Sequence, residues 1–377
     1  MRIVIAPNAF KGSLTAGEAA HCIAKGLKKS KLSCTLQLIP IADGGDGTAR
    51  LISKKLSATS VNILVHDPLG KKIEASYGWV SKSKTAIIEL ADASGLRLLN
   101  HVKLNPLKSN TRGTGELIKS ALNKSSKKIL LGIGGSATVD GATGLLNELG
   151  VKFLDNHGNE IKELPKGLSA LSHVDVSSLD RRLKDCEIIL LCDVNNKLLG
   201  QNGAAAIFGP QKGADEKEVA LLERGLDQLN KIVKKDLGVE MDSLRYGGSA
   251  GGVAAGMAAF TNAKLVNGIS YYLDIVGFEK ELKNTDLLIT AEGKLDTQTL
   301  AGKGPYGVAK KALQHQIPVI LLAGQVPATA GKDLRRYFNV ILPIGSAPVS
   351  IEEAIKNTAA DLERTAMELG KLLALKK

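Results

Sequence analysis

The sequence predicts a doubly wound α/β fold with a second domain inserted into the first. Three observations predict it. Short β-branched runs alternate with helical stretches at both ends of the chain, which is the rhythm of a sheet wound by crossover helices. Those runs are apolar throughout instead of alternating, as strands buried on both faces of a parallel sheet must be. Two internal regions abandon the rhythm, and at 377 residues the chain is too long for one ordinary core.

Arg2–Pro7 is the first strand. Thr15–Lys29 follows with helical apolar spacing; Ser13 or Thr15 is its N-cap, and Glu18 stands three residues after Thr15, the capping-box spacing. Thr35–Ile41 is strand and Gly47–Leu56 helix. From about Thr59 to Ala91 apolar and polar residues alternate, with turn signals at Asp67-Pro68-Leu69-Gly70 and Ser81–Lys84, which is hairpin chemistry. Lys128–Ile133 returns to the apolar strand type. Between about Lys152 and Asn267 lie a hairpin-like piece, Val151–Ile161, a strand, Glu187–Asp193, and the glycine-rich Gly247–Gly256. Leu287–Thr290, Pro318–Ala323 and Asn339–Pro343 are again buried-strand types, and a helix from about Ile351 to Leu373 is expected to pack back on their sheet. Grouped by rhythm, 1–58, 105–150 and 283–377 form the parallel-sheet domain, and 59–104 with 151–282 form the inserted mixed α/β domain.

Composition excludes several functions. With 44% apolar and 23% charged residues the chain packs a core and is not disordered. Aromatics are 3%, too few for base-stacking platforms. The net charge of +12 is spread over pairs such as Lys54-Lys55 and Lys234-Lys235 with no basic arm, so no nucleic-acid partner is expected. Cys22, Cys34, Cys186 and Cys192 form no C-x-x-C pair and read as reduced. Met1 leads straight into a strand without a signal-peptide pattern, and glycine or charge breaks every apolar stretch short of a membrane span. A cytoplasmic location is expected.

Seven glycine-rich turns carry acids, bases and hydroxyls: Phe10–Ser13, Ala42–Thr48, Thr111–Glu116, Gly134–Gly141, Gly209–Gly213, Glu292–Thr299 and Gly302–Gly304. Most follow a strand, and ligands of open α/β sheets bind at the carboxyl ends of strands. Glycine lets backbone N–H groups approach an anion, Lys and Ser/Thr suit phosphate oxygens, and Asp and Glu suit Mg²⁺ or a hydroxyl proton. The set favours phosphoryl transfer. No Walker A loop, G-x-S-x-G elbow or H-E-x-x-H metal pair is present. Gly132–Ala137 fits G-x-G-x-x-A, with Asp155 about twenty residues on, so an NAD-dependent oxidoreductase is a rival reading. Asp155-Asn156-His157-Gly158, however, looks like a hairpin turn.

In order along the chain, these turns resemble the motif set of the bacterial glycerate kinase family of the galactarate- and glyoxylate-pathway type. The resemblance rests on Pro7–Leu14 (PNAFKGSL), Ala42–Thr48, Gly113–Ile118 (GTGELI), Gly134–Gly141 (GGSATVDG), Cys192–Asn195, Phe208–Ala214 (FGPQKGA), Glu292–Thr299 and Gly302-Lys303. It implies ATP-dependent phosphorylation of D-glycerate with Mg²⁺, giving 2-phosphoglycerate, by a kinase with a Rossmann-like domain, an inserted mixed α/β domain and an active site between them. The chain departs from the family pattern at Asn8-Ala9, where Asp-Ser is usual, and at Lys294, where Arg is usual and its bidentate fork is lost.

Phosphoryl transfer needs positioning, charge neutralisation and a carboxylate near the attacking hydroxyl. Lys11, with the backbone of Gly12 and Ser13, is the expected phosphate anchor; the alternative is a surface lysine before a helix cap. Asp43 is a proton acceptor or Mg²⁺ ligand, or else an Asx turn. Asp46 binds substrate or caps the next helix. Asp193, with Asn195 beyond it, is a metal or substrate ligand or a satisfied turn. Lys11, Asp43, Asp193 and Glu292 make the expected catalytic set, with Asp43 and Asp193 as the metal carboxylates. Gln211 and Lys212 are expected on carboxylate or phosphate, Arg112 on a carboxylate, and Gly134, Gly135, Ser136, Thr138 and Asp140 on nucleotide phosphates. Lys294 and Asp296 accompany Glu292. The expected partners are the small molecules D-glycerate and ATP, with a homodimer left open. A non-enzymatic sugar-acid or nucleotide sensor is the second rival, although a sensor has no need of acids and bases together at strand ends.

Overall fold

The computed structural model describes residues 1–295, 304–327 and 331–375. Its strands are β1 (Arg2–Ile5), β2 (Thr35–Leu38), β3 (Thr59–His66), β4 (Lys72–Val80), β5 (Thr85–Glu89), β6 (Lys128–Gly132), β7 (Lys152–Leu154), β8 (His173–Asp175), β9 (Glu187–Cys192), β10 (Lys264–Asn267), β11 (Leu287–Lys294), β12 (Val319–Gln325) and β13 (Val340–Pro343). The chain divides into two compact units: Met1–Asp43 with Ile269–Lys377, and Gly44–Gly268.

The first unit holds a five-stranded parallel sheet in the order β13-β12-β11-β1-β2. Its central strands are the ones whose sequences lack polar alternation, and Ile3, Ile5, Ile289 and Leu322 are fully buried. The helix Ala16–Lys29 starts with the expected capping box: Glu18 N–H donates to Thr15 Oγ1 at 3.2 Å and Thr15 N–H to Glu18 Oε2 at 2.8 Å. Its apolar face presents Ile23 and Leu27, which join Leu362, Ala366 and Leu369 of the final helix, Ile351–Ala374, in one core. Gly26 permits that packing, since a Cβ there would lie 2.8 Å from Ala366 Cβ and 2.9 Å from the Met367 nitrogen.

The second unit is built on a six-stranded sheet, β10-β9-β6-β5-β4-β3, parallel from β10 to β5 and antiparallel from β5 to β3. The β3–β4 hairpin turns where expected, with Asp67 Oδ1 accepting from the N–H groups of Leu69 and Lys71, each at 2.9 Å. A small ladder, β7 with β8, lies apart.

The domain boundaries differ from those expected. Residues 44–58 and 105–150 fall in this second unit and residues 269–282 in the first; β6 pairs with β5 and β9 (Leu130 opposite Ile87 and Ile189) and not with β1. The apolar run of β6 suits a central position in either parallel sheet. Its partner is set by β5, the end of the expected hairpin region, which turns out to be a parallel strand. Among the described residues no helix is long and apolar enough to cross a membrane, and all four cysteines are free thiols.

Candidate functional site

In the first unit β1, β2 and β11 run parallel, so their carboxyl ends share one edge of the sheet. The segment after β1 stays paired there, Asn8 N–H donating to the Ala291 carbonyl at 2.8 Å. This sets Asn8 beside Asp43: the Asn8 amide donates to Asp43 Oδ2 at 2.9 Å, and the backbone N–H of Gly304 donates to the same oxygen at 3.2 Å. Gly304 opens the helix Gly304–Gln314, so the Asp43 carboxylate also lies at the positive end of a helix dipole. Glu292, near the end of β11, is 5% exposed.

Lys11 is exposed at the tip of a tight turn closed by the backbone bridge between Phe10 and Leu14, with Gly12 at φ +77°. Gly293 lies alongside, a Cβ there falling 3.7 Å from the backbone nitrogen of Lys11. Ser13 Oγ donates to the Ile355 carbonyl of the final helix at 2.7 Å, so its hydroxyl is engaged within the fold. Lys294 is exposed, and Asp296 falls outside the described residues.

In the second unit the Gly44–Thr48 turn and the Gly134–Gly141 loop interlock. Gly134 N–H donates to the Gly44 carbonyl at 2.9 Å, and Thr48 Oγ1 closes the turn on the Gly45 carbonyl at 2.7 Å. Gly44, at φ +100°, runs so close to β9 that a Cβ would lie 2.5 Å from the Leu191 carbonyl oxygen. Asp46 rests against Gly135, where a Cβ would stand 2.9 Å from its carboxylate. Asp193, half-buried, follows β9, while Asn195 and Gln211 are exposed.

Lys212 turns inward. It is 3% exposed, and its ammonium donates to Ser136 Oγ and to the Thr138 carbonyl, each at 2.7 Å. Burial pushes its pKa down to about 7, against the opposing pull of Asp140 and Asp193. Asp140 is fully buried and accepts from Thr111 N–H at 2.9 Å, Thr111 Oγ1 at 2.7 Å, and the N–H groups of Ala142 and Gly144, each at 3.2 Å. Burial raises its pKa and those bonds lower it. The structure thus brings Asp140 to the start of the helix Arg112–Asn123 as a clasp for the loop. Arg112 pairs with Glu148 at 3.4 Å and Glu116 at 3.5 Å. Thr138 Oγ1 is buried without a hydrogen-bond partner.

Sequence reasoning missed Thr111, the partner role of Asn8, and Glu89. Glu89 closes β5, is 4% exposed, and accepts from Gly47 N–H on Oε1 at 3.1 Å and from Ala49 N–H on Oε2 at 2.8 Å. The available signal was the one used for Asp193, an acid ending an apolar run. Asp155 sits in a turn, its Oδ1 accepting from the N–H groups of His157 and Asn159 at 2.9 Å each, and ends no second parallel strand. That removes the acid the dinucleotide reading needed. Among the described residues no three His, Cys, Asp or Glu side chains converge as a metal cage.

Comparison with known proteins gives consistent findings. The profile of the Glycerate kinase family matches residues 3–374. A glycerate kinase of Bacillus subtilis (strain 168) is 39% identical over 377 residues, covering 100% of this chain and 99% of that protein. A glycerate 2-kinase of Escherichia coli (strain K12) is 39% identical over 375 residues, covering 100% and 98%. A crystal structure from Salmonella typhimurium LT2, designated glycerate kinase 2, superposes with a TM-score of 0.82 at 38% identity, covering 100% of this chain and 99% of that one.

Proposed function

This chain belongs to the glycerate kinase family, whose members are phosphotransferases, and we propose that it transfers the γ-phosphoryl group of ATP to the secondary hydroxyl of D-glycerate, giving 2-phosphoglycerate. The observation that carries the regiochemistry is the end-to-end identity of 39% with a glycerate 2-kinase.

Phosphoryl transfer asks the protein for placement and charge more than for covalent chemistry. We assign Asp43 to accepting the proton of the attacking hydroxyl. Its Oδ2 already takes two donors, from Asn8 and Gly304, which fix the carboxylate in orientation. Lys11, exposed on its glycine turn, is assigned to phosphate oxygens. In the second unit we assign phosphate contact to Ser136 and the backbone of Gly134 and Gly135. Lys212 acts through Ser136, because both hydrogen bonds of its ammonium go to that turn.

The donor set fits a Mg²⁺ that arrives on ATP, since that ion needs only one or two protein carboxylates besides phosphate and water oxygens. Asp193 is the residue we assign to it, and when bound it would neutralise charge on the transferring phosphates.

The test is phosphorylation of D-glycerate with ATP and Mg²⁺, read by the ³¹P–¹H coupling of the product. A phosphorus coupled to a single methine proton supports the proposal. Coupling to a methylene pair moves the product to 3-phosphoglycerate, and no transfer to glycerate overturns the reading.

A further inference from the structure

Glu89 has no place in the mechanism above, yet its carboxylate organises the Gly44–Thr48 turn, whose Gly44 carbonyl holds the Gly134 N–H of the loop assigned to phosphate. The helix Thr48–Lys55 begins at Gly47, which has no side chain to cap it. Glu89 supplies the cap from β5, with one oxygen on Gly47 N–H and the other on Ala49 N–H. Gly132, its register partner on β6, lies beside it, and a Cβ there would meet Oε1 at 3.7 Å, an ordinary contact. The capped turn carries Asp46 against Gly135 and is bonded at Gly44 to Gly134.

We propose that Glu89 is a positioning residue for the phosphoryl-transfer site: its ionised carboxylate clamps the Gly44–Thr48 turn, and its protonation loosens that turn. The proposal rests on the kinase reading. Two N–H donors on two different oxygens match the carboxylate. A neutral carboxyl group offers one good acceptor and turns an O–H toward the second amide. Burial works against the matching form. It pushes the pKa up to about 8; the Ala49 bond lowers it, Asp92 and Asp46 raise it, and the Gly47 bond lowers it. The charged groups around Glu89 are therefore Asp46 on the turn, Asp92 on the helix Ala91–Ser94, and Arg97, which pairs with Asp92 and stands 3.9 Å from Asp46. The clamp is half-closed near pH 8 and closes as pH rises.

The experiment follows the Gly47 and Ala49 amide resonances of the full chain, labelled with ¹⁵N at glycine and alanine, across the pH range, beside the pH profile of glycerate phosphorylation. Both amides are expected to shift together with a midpoint near 8. The Glu89→Gln chain is expected to lose that titration. It is also expected to lose the alkaline rise in kcat with the same midpoint, its kcat on that plateau falling about tenfold with little change in KM. Amides in the parent chain that do not titrate, or a Glu89→Gln pH profile that superposes on the parent's, overturn the proposal. If the parent phosphorylates no glycerate, the kinase reading falls, and the amide titration still decides whether Glu89 holds the turn.

Discussion

Replacing Lys212 by methionine removes a buried amine while keeping a long, unbranched side chain. The ordinary lysine value is 10.5, and in the fold it is pushed down to about 7. Between those two values the unfolded chain holds a proton that the folded chain has released, so this group makes stability rise with pH through that window and contributes no slope below it. The rise is ~1.4 kcal/mol per pH unit once the folded lysine is neutral, or about 2 kcal/mol between about pH 7 and about pH 9. Glu89, raised from 4.5 to about 8, contributes a fall between those two values, where the folded chain keeps a proton the unfolded chain has released, and no slope above them. The informative quantity is therefore the difference in slope between Lys212→Met and the parent. Urea unfolding followed by the fluorescence of Trp79, the single tryptophan, measures it, since Trp79 lies on β4 in the same unit as Lys212. The parent should gain about 2 kcal/mol relative to the variant on going from about pH 7 to about pH 9. Parallel stability curves would refute the claim that Lys212 is buried against Ser136 and the Thr138 carbonyl.

Asp43→Asn should lower kcat by about 10²–10⁴-fold in the glycerate assay with an unchanged circular dichroism spectrum, as expected for loss of a general base. Thr111→Val deletes a hydroxyl that donates to the buried Asp140 and accepts from Leu145 N–H at 3.0 Å, and should cost about 1–3 kcal/mol in urea unfolding.

What the sequence disclosed was mostly local. The Thr15–Glu18 capping box, the Asp67–Gly70 turn and the final helix depend on neighbours within a few residues, and the structure has them where the spacing puts them. The α/β class followed from the alternation of strand and helix. The assignment of β6 did not follow, because two parallel sheets compete for apolar strands of the same kind, and only long-range pairing chooses between them. Lys212 and Asp140 illustrate a second limit. Their residue types suited a phosphate site, but the three-dimensional packing turned the ammonium inward and surrounded the carboxylate with backbone donors. Glu89 was passed over because the alternating stretch before it drew β5 into the hairpin reading. Its two amide partners lie some forty residues away, so no spacing within that stretch could signal them.

The chain order of the two sheets has a consequence for synthesis. Gly44–Gly268 is one uninterrupted stretch, so every strand of the six-stranded sheet has been synthesised before residue 269 is added. The neighbour of β1 on the other side from β2 is β11, which begins at Leu287. Until then, β1, β2 and the helix Ala16–Lys29 make a nascent fragment with an open strand edge and an apolar helix face awaiting Leu362 and Ala366. The second stretch to be translated is thus the first able to complete its core, and the amino terminus is held longest in the state that chaperones recognise.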